Sequence, residues 1–245
     1  MKSLKIARMN IEEMIKPTVI FYTIIISIII IVTILRKSLT THIGVPEVDM
    51  ITTIFLFVCG LNSFKSDFYF AKANNVSRNN FIVGIIFSVF PIVFTTSILD
   101  LIINRITNLF TAMPSSYDFF FDFSGGMNWI QSNTLEVLFY TFFIHFLVGV
   151  ALYLAGVVIR MIYYRSNKAM KIILSVMPIA IIVGYSKLWH INGVAAQKLE
   201  HFLFSSLGLE PSNKYCTIVT FMVISIVLSI VSLLLIRKVT IKENN

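Results

Sequence analysis

Six stretches of this 245-residue chain run without a charged side chain, at 17–35, 50–64, 79–99, 137–159, 172–186 and 215–236. A helix needs about 20 mainly apolar residues to cross a hydrocarbon core of roughly 30 Å, and lipid tolerates no unpaired backbone. The first, third, fourth and sixth stretches meet that length, whereas the second and fifth hold 15 residues each. These two lengthen outward if Glu47 and Asp49 reach back to the interface at one end and Lys187, Leu188 and Trp189 do so at the other. The pattern predicts spans at about 17–35, 48–64, 79–102, 136–159, 171–190 and 215–236. No connection is long enough for a soluble domain. The expected fold is an all-α integral membrane protein, residues 1–245 forming a single transmembrane domain.

Ahead of the first span, Leu4, Ala7, Ile11 and Met14 recur at spacings of three and four, with Lys2, Lys5, Arg8, Glu12, Glu13 and Lys16 elsewhere on the wheel. This predicts an amphipathic helix over 1–16 lying in the membrane interface, with Pro17 breaking it into an elbow. A fraying, solvated leader is the alternative. Composition agrees with membrane insertion: the chain is 57% hydrophobic and 13% charged, with mean hydropathy +0.85. Cys59 and Cys216 lie in or beside spans and read as small apolar residues.

Charge sets the orientation, because Lys and Arg beside span ends resist translocation. Fourteen of the 20 basic residues fall in one set of connections, including Lys2, Lys5, Arg8, Lys65, Lys72, Arg78, Arg160, Arg165, Lys168, Lys171 and Arg237. The other set holds Arg36, Lys37, Arg105, Lys187, Lys198 and Lys214 and eight of the 12 acids. Both termini are therefore expected on the cytoplasmic side of a multi-pass membrane protein. The formal charge of +8 sits at membrane boundaries without any nucleic-acid-binding pattern, so nucleic acid is excluded as a partner.

The connection from Phe64 to Arg78 is rich in aromatic residues and bounded by turn formers. Asp67 is placed to cap a short helix, Asn74 and Asn75 supply left-handed turn residues, and Ser77 caps the next span. The helix between them is expected to present Phe64, Phe68, Tyr69 or Phe70 with Lys72 to a groove on a partner. An aromatic belt anchoring span ends at the headgroups is the plain alternative.

An amphipathic elbow, six spans with both termini inside, and a short loop helix ending in Asn74-Asn75-Val76-Ser77-Arg78 resemble the type-2 ATP-binding-cassette permeases of bacterial exporters. The likeness covers the architecture of nearly the whole chain, while its sequence motif is a few residues long. It implies that Asp67, Phe68, Tyr69, Phe70 and Lys72 form a coupling helix that contacts a separate ATPase subunit. It also implies a second permease chain, in a homodimer, and a partly re-entrant hairpin at 191–213. No phosphate-binding loop or hydrolase motif is present in this chain, so it is expected to be no enzyme, with ATP and Mg on the partner.

The loop 104–134 carries Phe110, Tyr117, Phe119, Phe120, Phe121, Phe123 and Trp129 beside Asp118 and Asp122. Its rings are expected to bury themselves, and its acids to keep it soluble or to guide a cationic cargo. Ionisable groups at membrane depth are functional candidates by default. His145 and Asp100 are the candidates for a substrate path, with Asp100 pairing Arg105 or snorkelling, and His145 more often a helix-bridging residue than a proton relay. No acidic residue stands out near the midplane, which counts against ion-coupled transport.

These features point to export of a hydrophobic or amphipathic cargo, such as a peptide, an antibiotic or a lipid. Similar in size and character are the exporters of amphipathic phenol-soluble modulins. The substrate-binding membrane subunit of an energy-coupling vitamin importer and a bacteriocin immunity or anchor protein are the alternatives.

Overall fold

The computed structural model describes residues 2–39, 48–110, 113–122, 131–209 and 214–237. They form the helices α1 (Lys2–Leu39), α2 (Val48–Asn62), α3 (Lys65–Ala73), α4 (Arg78–Asn108), α5 (Leu135–Arg165), α6 (Lys168–Ile191), α7 (Gly193–Ser206) and α8 (Lys214–Arg237), with one π-helical turn at Asp118–Asp122. Six helical segments are long and apolar enough to cross a membrane, the second being α2 continued through α3. The side chains of Arg36 and Lys37, residue Glu47 and the segments 123–130 and 210–213, which include Trp129 and Pro211, lie outside the described residues.

Pairings across the bundle fix its topology. Gly84 lies against Ser3 and Ile6, Asn10 donates to Ser88 and Tyr22 reaches Asp100, so α1 runs parallel to α4. Leu56 faces Gly149 and Gly60 faces Tyr153, so α2 runs parallel to α5. Val93 against Gly149 and Asp100 against His145 make α4 and α5 antiparallel. The Lys2 ammonium donates to the Asn75 carbonyl and the Arg78 guanidinium to the Arg237 carbonyl. Both described chain ends therefore share one end of the bundle, where the basic residues also collect; it is called here the termini end.

Two helical expectations change. Helix α1 continues through Pro17 without interruption, because a proline removes one backbone hydrogen bond while Asn10 and Tyr22 hold α1 to α4 on either side. The inward face of its first turns is Ile6, Ala7 and Asn10, with Ile11 and Met14 packed partly buried against the core as expected, whereas Leu4 is exposed. Asn10 donates to Ser88 Oγ at 2.6 Å and Tyr153 Oη at 3.2 Å inside the bundle. These two bonds offset the cost of burying the amide nitrogen.

The four helices α1, α2, α4 and α5 enclose the core, with α8 packed along α4 and α5. By contrast, α6 buries none of its residues and touches chiefly α7. Asn192 caps α7 by accepting from Ala195 N at 3.1 Å, and Gly208 takes a left-handed φ of 69° at the end of that segment. The hairpin expected at 191–213 is thus helical through Ser206, with Val194, Phe202 and Leu203 exposed.

Candidate functional site

At the termini end, α3 begins where α2 stops. Its N-cap is Phe64, without a side-chain cap, so Asp67 is not the cap that its position suggested. It lies in the first turn, buried, with its carboxyl beside that of Glu13 on α1. At the other end Asn75 has the expected positive φ of 54° and Ser77 Oγ accepts from Asn80 N at 3.3 Å to cap α4, whereas Asn74, with φ −92°, is not left-handed.

The aromatic residues of α3 divide into two groups. Phe64 and Phe68 stack at 5.3 Å, and both meet Phe81 of α4 and Tyr164 of α5 edge to face. Both are fully buried, which contradicts the expectation that they face a partner. The burial of two phenyl rings against two helices stabilises by several kcal/mol in transfer terms alone, more than a solvent-facing position returns. Outward-facing are Phe70, 56% exposed, and partly Lys72. Tyr69 is half-buried, with its hydroxyl 3.1 Å from that of Tyr164. The helix is a rigid lug: one face is built into the core and the other carries a free phenyl ring beside a cation.

A second site lies deeper, toward the opposite end. His145 Nε2 of α5 is 2.9 Å from Asp100 Oδ2 of α4, and both side chains are almost completely buried. The other carboxylate oxygen of Asp100 accepts from Tyr22 Oη of α1 at 2.8 Å and Thr52 Oγ1 of α2 at 3.0 Å. Four helices thereby converge on one carboxyl group. Asp49, a turn before Thr52 on α2, is buried as well and interacts electrostatically with both His145 and Asp100. It was expected to snorkel, but its Oδ2 accepts from Ser116 N at 3.0 Å.

Asp100 and Arg105 do not pair. Arg105 donates instead to the Ser132 carbonyl and to Asn133 Oδ1, each at 3.0 Å. Two acids and a histidine therefore meet inside the bundle: the candidates Asp100 and His145 are brought together, and Asp49 joins them. Nothing in local spacing signals this, since Thr52 and Asp100 are 48 residues apart.

Above this cluster, the loop after α4 folds down over the bundle. Gln131 Nε2 donates to Asp118 Oδ2 at 2.6 Å and Asn104 Oδ1 at 2.8 Å. Ser115 donates to Asp118 Oδ2 through both N and Oγ, and Asn108 Nδ2 donates to the Met113 carbonyl at 2.7 Å and Gln131 Oε1 at 2.8 Å. Asp118 is thus a structural acceptor, not a solubilising surface acid. Of the loop rings, Tyr117 stacks on Tyr140 at 6.1 Å and Phe120 meets Phe204 of α7 at 6.0 Å, as expected for a loop that buries its aromatics.

No metal-binding group of His, Cys, Asp and Glu is found among the described residues. Comparison with protein-family models, with curated proteins and with solved structures found no match.

Proposed function

We propose that this chain is the membrane-spanning permease subunit of an ATP-binding-cassette exporter, working with a second copy of itself and with separate ATPase subunits that supply ATP and Mg. Its termini end faces the cytoplasm of a bacterial plasma membrane. The observation that carries this reading is α3: a short helix on the basic end, anchored by buried Phe64 and Phe68 to α4 and α5, with Phe70 and Lys72 turned outward. A push on its exposed face passes directly into two long apolar helices, as coupling to a soluble motor requires. The exposed aliphatic surfaces of α1, α6 and α8 suit contact with lipid, a second copy and an amphipathic cargo.

The test is affinity purification of the full chain from its native membrane. An ATPase subunit is expected to accompany it, and Phe70→Ala with Lys72→Ala is expected to release that subunit while leaving the chain's yield unchanged. Solute movement by the chain alone in liposomes, driven by an ion gradient, refutes the proposal.

A further inference from the structure

The Asp100–His145 contact joins two groups that compete for hydrogen. Among the described residues, Asp100 Oδ2 and His145 Nε2 have no hydrogen-bond partner beyond one another, and they stand 2.9 Å apart. With no proton between them, an oxygen lone pair and a nitrogen lone pair face one another in a water-poor interior, which is repulsive at that distance. One proton therefore belongs to the contact, on either atom. With the other ring nitrogen, Nδ1, also bearing a hydrogen the one-proton pair is neutral overall; a second proton in the contact then places an uncompensated positive charge there, and loss of the first leaves a buried anion without its partner.

The surroundings are asymmetric. The groups facing the pair are Tyr22 from α1 and Thr52 and Asp49 from α2; Arg105, further along α4, interacts electrostatically with Asp49 and Asp118 rather than with the pair. Toward the opposite end, polar groups form a ladder through Asp49 to Ser116 N and on to Asp118 and Gln131. Toward the termini end, one turn below His145, Gly149 sits so close to its neighbours that a Cβ would lie 2.7 Å from Val93 Cγ1 and 3.0 Å from Leu56 Cδ1. Those side chains are fully buried and form an apolar collar.

We propose that Asp100 and His145 form an intramembrane proton-binding site that exchanges with the aqueous phase at the end opposite the termini and is sealed from the termini end by the Leu56–Val93–Gly149 collar. Proton gain or loss breaks the contact, and with it the link between α4 and α5 at the carboxyl group that Tyr22 and Thr52 also hold. The site is independent of whether an ATPase drives the chain.

The full chain labelled with 15N-histidine, reconstituted in liposomes and sorted for one orientation by a terminal tag, provides the test. The His145 ring resonances are identified by their loss in His145→Asn. They are expected to titrate in one step when pH is changed on the face opposite the termini, and to stay fixed when it is changed on the termini face. Asp100→Asn is expected to abolish or displace that step. Tyr22→Phe retains both ionisable groups and the ring, and is expected to displace the midpoint by about one pH unit, a tenfold change in proton affinity.

Should the Asn variant fail to fold, Tyr22→Phe carries the test. Resonances that ignore pH on both faces, that follow pH on the termini face, that are unmoved in Tyr22→Phe, or that respond to sodium at constant pH each overturn the proposal.

Discussion

Gly156 of α5 packs directly on the backbone of Leu61 in α2: a Cβ at position 156 would lie 2.8 Å from the Leu61 amide nitrogen and would collide with the Phe57 carbonyl. A turn away, Gly60 is in the same relation to the Tyr153 carbonyl. Small residues that let helix backbones touch are a principal source of association in lipid, where burial of apolar surface gives little drive. Gly156→Val is expected to force α2 and α5 apart and to cost about 1–3 kcal/mol or more, as overpacking of a close interior does. Thermal unfolding in detergent, compared with Gly184→Val, checks this: position 184 has open space where its Cβ would go, so that control should unfold with the parent.

Phe68 and Phe70, two residues apart on α3, should respond to truncation in different ways. Phe68→Ala empties a site enclosed by Phe64, Phe81 and Tyr164 and is expected to cost about 3–5 kcal/mol. Phe70→Ala removes an exposed ring and should leave stability within about 0.5 kcal/mol while weakening capture of a partner. Unfolding midpoints and co-purification, measured on both variants, separate the two roles; equal loss of stability in both would contradict the division.

Removal of His145 alone strands a buried carboxyl group. His145→Ala is expected to destabilise the bundle by about 3–5 kcal/mol, the usual cost of breaking a buried pair from one side. The double variant Asp100→Asn with His145→Gln should be milder than the sum of its single changes, since it removes the charge and retains hydrogen-bonding shape. A thermodynamic cycle of the four proteins reads the coupling, and additive behaviour would show that the contact contributes nothing.

Orientation is checked with thiols. With Cys216, the exposed native cysteine, changed to Ser, cysteines introduced at Asn75 and Asn167 are expected to resist an impermeant reagent in intact cells, and one at Val194 is expected to react. All three positions are exposed, so protection reports the side of the membrane rather than burial. The reverse pattern would invert the molecule.

The number of spans was legible in the chain because uninterrupted apolar length has few explanations. The turn from α3 into α4 was legible for a related reason: Asn75 and Ser77 are local signals, acting through a positive φ and a side-chain cap within a few residues. What escaped was every feature that depends on which helix stands beside which. Asp49 and Asp100 each read as surface-seeking polar residues until Ser116 and His145 are brought to them from elsewhere in the fold. The aromatic run of α3 failed similarly, since alternation alone does not say that Phe64 and Phe68 have a pocket waiting while Phe70 has none.

The apolar collar around Gly149 also bears on how anything large crosses. Leu56 and Val93 close the middle of the four-helix core with fully buried side chains, so that core is a plug and not a conduit. A cavity of about 630 Å³ lies instead on its flank, between α2 and α5 on one side and α6 on the other, bordered by Phe57, Arg160, Tyr163 and Pro178. Under the proposed export function, a bulky cargo would therefore slide along the outside of a solid post, and the helix with the fewest attachments is the one best placed to swing and let it by.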